Sequence, residues 1–138
     1  MLMADGGLVL MTARSANALL GSLVKNSGTV QAQTIANRNG RILLLGDMIS
    51  GTTQVDGKLD ASAPAGGNGG FVETSAARVT IGPQASVTTQ SAQGQYGHWL
   101  VDPVDFTVAD TGGDMTGATL QNNLGTSHVT LKIGRAHV

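Results

Sequence analysis

The chain has 138 residues, a formal net charge of −1, 41% hydrophobic but only 3% aromatic residues, 20 glycines and no cysteine. A charge so near zero leaves no electrostatic footprint for nucleic acid or an anionic membrane surface, and the missing cysteines exclude disulfide scaffolds, thiol catalysis and cysteine-held metal. Many Gly, Ser, Thr, Asn and Gln beside few aromatics suit thin, repetitive β architecture, while the hydrophobic content is too high for a disordered chain.

No run of about 18 apolar residues occurs, so no membrane-spanning helix is expected. The opening MLMADGGLVLM lacks the basic region and apolar core of a signal peptide, which predicts that Met1 is internal to a longer reading frame. Gly6–Thr12 (GGLVLMT) reads as a short strand opened by a glycine pair. Ala13–Val24 fits two periods: Ala16, Leu19, Leu20, Leu23 and Val24 have helical spacing, while Leu20, Ser22 and Val24 alternate as in a strand. The turn signal in KNSGTVQA favours strand–turn–strand near Val24–Gln33, with a short helix on Ser15–Leu20 left open.

Thr29–Gln33 alternates, with Val30 inward and Gln31 outward, and the polar ANRNG loop leads to the apolar run Arg41–Leu45 (RILLL). Such a run suits a strand covered on both faces or stacked between parallel neighbours. Ala63–Gly70 (APAGGNGG) must be an exposed loop, and a deletion of Pro64–Asn68 is expected to be tolerated. Strands are predicted at Phe71–Thr74, Arg78–Ile81, Ser86–Gln90 and Trp99–Val101. Asp102–Pro103 breaks the last of these, because proline lacks an amide donor and restricts its predecessor. Phe106–Val108 resumes, a Gly/Asp/Thr loop runs to Gly117, and Ser127–Lys132 is a final β-prone segment. The tail Ile133–Val138 (IGRAHV) resembles the translation of a short-read sequencing adapter; residues 133–138 are therefore read as non-native, with the natural chain continuing past Lys132.

Within this order one unit recurs three times, over about residues 28–50, 57–79 and 85–108. Val30, Leu59 and Val87 lie at lags of 29 and 28 residues, as do Ile42, Phe71 and Trp99, and Gly40, Gly69 and Gly97. In every copy the second apolar position follows the first by 12 residues, and Ala32, Ala61 or Thr89 follows the first by two. A period between 20 and 50 residues means stacked supersecondary units. Val30, Ile42, Leu59, Phe71, Val87 and Trp99 are then interior stackers, and Gly40, Gly69 and Gly97 corner formers. Asn39–Gly40 and Asn68–Gly69 would also suit hairpins of an antiparallel sandwich. Recurrence at about 28 residues instead favours an all-β, right-handed parallel β-helix over residues 1–132, uncapped at both ends.

No catalytic constellation stands out, and no catalytic, cofactor-binding or metal-binding residue is assigned. The glycine-rich loop lacks the Lys-Ser/Thr and helix of a phosphate cradle. Asp102, Asp105, Asp110 and Asp114 match neither an EF-hand nor the nonapeptide calcium repeat, so they read as turn and surface residues. His98 and His128 belong to no nucleophile motif; His98 reads as the outward neighbour of a buried Trp99, and Trp99 as a core plug. Arg38, Arg41 and Arg78 would suit an acidic glycan in a polysaccharide lyase, yet Glu73 is the only glutamate and no basic–acidic cluster repeats at rung spacing.

The strings SGTVQAQT, NGRILLLGDMISGTTQVDGKLDAS, GGNGGFVETSA and WLVDPVDFTV resemble the filamentous-haemagglutinin-like exoproteins of bacterial two-partner secretion. The resemblance covers about Gly6–Val108 and, more weakly, NNLGTSHVTLK. It implies a long right-handed β-helix, secreted or held at the outer-membrane surface of a Gram-negative bacterium and exported through an outer-membrane β-barrel transporter. It also implies adhesion to glycans or proteins of host or bacterial surfaces. No Asn-Pro dipeptide occurs, so the family's secretion domain is not represented and the segment reads as non-catalytic shaft. The stalk of a contact-dependent growth inhibition toxin and a polysaccharide-active β-helix enzyme are the competing expectations. Family likeness alone does not set activity.

Overall fold

The computed structural model describes residues 1–13, 22–133 and 135–136; the Ser15–Leu20 question lies outside them. Four turns repeat the order of three strands. The first holds β1 (Leu2–Met3), β2 (Leu8–Thr12) and β3 (Leu23–Asn26); the second β4 (Thr29–Gln31), β5 (Arg41–Leu45) and β6 (Thr52–Val55). The third holds β7 (Lys58–Asp60), β8 (Phe71–Ser75) and β9 (Arg78–Ile81); the fourth β10 (Ser86–Thr88), β11 (His98–Asp102) and β12 (Asp105–Phe106). A short helix, α1 (Gly117–Leu124), then precedes β13 (His128–Leu131) and β14 (Arg135–Ala136).

Like stacks on like. The first sheet runs β1-β4-β7-β10, the second β13-β11-β8-β5-β2 and the third β3-β6-β9, with β12 beside β14, and every strand pair is parallel. The chain is thus a parallel β-solenoid of about four turns. The antiparallel sandwich is excluded: the Asn-Gly steps turn corners between sheets, and an isolated bridge between Ile35 and Arg38 is the antiparallel pairing among the described residues. Parallel stacking lets each turn satisfy the backbone groups of the next, so very short strands hold without hairpins.

The core is a narrow column of ladders. Val30, Leu59 and Val87 align across the first sheet, as their sequence lags required. Ile42, Val72, Trp99 and Val129 align across the second, followed two residues on by Leu44, Thr74, Val101 and Leu131. Ala32, Ala61 and Thr89 are fully buried at the corner between these sheets, where there is room only for small side chains.

One sequence expectation fails here. Phe71 is not an interior stacker: it is half-buried on the outer face, opposite Arg41 and His98, and Val72 takes the inward place. The spacing of 12 residues between the two apolar positions becomes 13 in the second copy, because its glycine-rich corner holds one residue more. Gly70, not Gly69, is accordingly the equivalent of Gly40 and Gly97; Gly69 remains a buried corner residue. Hydrogen bonding and side-chain alternation set the register, and the corner absorbs the insertion.

The sequence reading marked no helix at Gly117–Leu124. Thr116 caps it, its Oγ1 accepting the Thr119 amide at 3.1 Å. Leu120 packs partly against the core, whereas Leu124 is exposed. α1 occupies the place where a fifth strand of the first sheet would lie. The expected open end is therefore closed on that face.

Candidate functional site

The surface feature that depends most directly on the stacking is a groove at the corner between the first and second sheets. Three successive turns cross this corner on glycine. The carbonyls of Gly40, Gly70 and Gly97 accept the amides of Phe71, His98 and His128 at 3.0, 3.2 and 3.1 Å. A Cβ on Gly40 would run into the Ala32 carbonyl oxygen, and one on Gly97 into that of Gly70. The corner floor is therefore bare backbone. Residues before each corner place Asn39, Asn68 and Gln95 along one rim; residues after it place Arg41, Phe71 and His98 along the other. With Tyr96 they enclose about 360 Å³.

The rim groups recur at the rung spacing of about 4.8 Å, so the groove runs along the solenoid axis. Gln90 Nε2 donates to the Tyr96 hydroxyl at 2.9 Å and steadies that ring. The imidazoles of His98 and His128 lie 5.2 Å apart, and Tyr96 is 6.4 Å from His128. Asn68 Oδ1 accepts the Gln95 amide at 3.0 Å, which leaves its NH₂ to donate outward. Among the described residues, no hydrogen bond takes up the carboxamides of Asn39 or Gln95, and no ion pair takes up Arg41. No carboxylate lines the groove. This arrangement can hold a polar or anionic chain through amide, guanidinium and ring contacts. Beside the Tyr96 hydroxyl it places the His98 and His128 imidazoles and no pair of carboxylates.

The other sequence candidates lie apart from it. Arg41 is on the second sheet, whereas Arg78 is on the third, where it pairs with Asp114 at 3.4 Å. Arg38 sits in the tight turn closed by its backbone hydrogen bonds with Ile35. Glu73 accepts from Ser75 Oγ at 2.6 Å on the outer face of β8. Asp114 is spent on Arg78 and the Thr107 amide, at 3.0 Å. Among the described residues no three His, Asp or Glu side chains converge as a metal site. Trp99 is fully buried and donates to Thr74 Oγ1 at 3.1 Å, while His98 beside it points outward.

The groove itself was not legible in the sequence. Its rims come from three turns, and the extra residue at Gly69–Gly70 takes Phe71 out of the repeat alignment that would have placed it beside Arg41 and His98. A signal did exist in the glycine–planar pairs Gly40–Arg41, Gly70–Phe71 and Gly97–His98, with Asn39, Asn68 and Gln95 one or two residues before the glycine.

The fold defines the class of protein, a parallel β-solenoid whose described residues include no helix long and apolar enough to cross a membrane. The chain matches no family model, no curated protein and no solved structure.

Proposed function

We propose that the chain is a non-catalytic stretch of β-solenoid shaft from a large surface-exposed bacterial adhesin exported by two-partner secretion. The observation that carries this reading is the run of strings from SGTVQAQT to WLVDPVDFTV, which coincide with successive turns of a parallel solenoid. A shaft needs stackable turns and little else, and the interior ladders supply that. The groove over Gly40, Gly70 and Gly97 is the part best suited to contact a partner, a surface glycan or protein, since its rim offers unengaged amide and cationic groups.

The test is surface labelling of the encoding bacterium with antibody raised against residues 28–108. Labelling of intact cells that disappears on deletion of the neighbouring outer-membrane transporter supports the reading. Labelling only after lysis, or unchanged without the transporter, contradicts it.

A further inference from the structure

Two of the chain's three histidines stand at one ladder position. His98 opens β11, His128 opens β13, and the two are direct partners in the parallel pairing of those strands. Such partners project from the same face of a sheet one rung apart, about 4.8 Å. Both side chains are exposed, and their ring centroids lie 5.2 Å apart with the planes inclined by 38°. Among the described residues no hydrogen bond takes up a ring nitrogen of either imidazole.

That separation is the one a shared ion requires. Two imidazoles on one tetrahedral Zn²⁺, each nitrogen about 2.0–2.1 Å from the metal, hold their ring centres roughly 5 Å apart. The inclination of the planes lets one nitrogen of each ring turn towards a common point. Imidazole suits Zn²⁺, Ni²⁺ and Cu²⁺, whereas hard Ca²⁺ and Mg²⁺ take oxygen ligands, and no carboxylate lines the groove. Beyond His98 the ladder continues through Phe71 to Arg41. The guanidinium is thus two rungs away, about 10 Å, near the screening length of physiological salt, and repels a cation at the pair only weakly. Tyr96 flanks His128 with ring centroids 6.4 Å apart, and Gln90 already engages its hydroxyl.

We propose that His98 and His128 form a two-imidazole binding site for Zn²⁺ or a similar imidazole-seeking divalent cation, clamping two successive turns of the solenoid. The chain supplies two nitrogens, and water fills the remaining positions of the ion. A bound ion ties β13 to β11 on the outer face, opposite the inward contacts of Val129 and Leu131 with the core. The site stands independently of the adhesin reading, because it rests on one side-chain pair and the register of two strands.

The test is isothermal titration calorimetry of the full chain with zinc chloride near neutral pH. One ion per chain is expected. His98→Ala and His128→Ala should each weaken binding by more than about tenfold, the cost of losing even a group that only supports a ligand. Both side chains are exposed, so these variants keep the fold, and His98→Gln, which retains most of the side chain's bulk, should lose binding in the same way. His137→Ala alters the remaining histidine and should leave binding unchanged. In proton–nitrogen correlation spectra, Zn²⁺ should shift the ring nitrogens of His98 and His128 together. Calcium chloride should give no binding. Absence of Zn²⁺ binding to the parent chain overturns the site. Binding that either alanine variant leaves within about tenfold, or that disappears in His137→Ala, overturns the two ligands. Equal binding of Ca²⁺ overturns the class of cation.

Discussion

The indole Nε1 of Trp99 donates to Thr74 Oγ1 at 3.1 Å, joining two adjacent turns inside the core. It is one of several buried polar contacts in a column held mainly by apolar ladders, and both partners are fully buried. Thr74→Val strands the indole N–H without a partner and is expected to cost about 1–3 kcal/mol in chemical denaturation, with Thr74→Ser recovering most of it. Trp99→Asp places an unpaired charge in the same column and is expected to abolish the cooperative transition. Equal stability of Thr74→Val and the parent chain would mean the hydrogen bond is absent in solution.

Val72 and Phe71 offer a test of register, because a slip of one residue exchanges their faces. Val72 is fully buried, whereas Phe71 is half-buried on the outside. Val72→Ala is expected to cost roughly 1.5–3 kcal/mol and Phe71→Ala roughly 1 kcal/mol or less, by urea denaturation. The reverse order would place Phe71 in the core.

Two glycines with opposite surroundings test the corner. A Cβ at Gly97 meets the Gly70 carbonyl oxygen, while one at Gly28 meets nothing within 4 Å. Gly97→Ala forces neighbouring turns apart and is expected to lower the melting temperature by several degrees, on the order of 2 kcal/mol. Gly28→Ala is expected to be neutral or to stabilise by up to about 1 kcal/mol through the unfolded chain.

The glycine-rich loop behaves differently from its composition. Pro64, Ala65, Gly67 and Asn68 are exposed, yet the loop is tied to both neighbouring turns. Thr34 Oγ1 donates to the Asn68 carbonyl at 2.8 Å, Ser91 Oγ to the Gly67 carbonyl at 2.6 Å, and the Gln95 amide to Asn68 Oδ1 at 3.0 Å. Deletion of Pro64–Asn68, which the sequence alone marks as tolerable, is therefore expected to destabilise by roughly 2–4 kcal/mol from three lost hydrogen bonds, measured by thermal melting.

Strand positions were legible because turn residues punctuate every few residues and inward places alternate. RILLL and RVTI became β5 and β9 with the boundaries their apolar runs suggest, and the NSG turn does separate β3 from β4. β6 carried too little apolar signal, since TTQV turns a fully buried threonine, Thr53, inward with Val55. The register at Phe71 was lost because counting residues assumes rigid corners, and the Gly69–Gly70 corner is one residue longer. α1 was lost because TLQNNL has neither a strong apolar stripe nor charged ends. Its place is fixed by Asn123 binding a strand 36 residues earlier, a relation visible only once the turns are stacked.

The most direct test of the stacked register is the set of backbone NOEs in isotope-labelled protein around Trp99. The solenoid predicts sequence-distant contacts from Trp99 to Val72 on one side and Val129 on the other, with Ile42 joined to Val72. Contacts from Trp99 to Phe71, or antiparallel contacts across Asn39–Gly40, would contradict it.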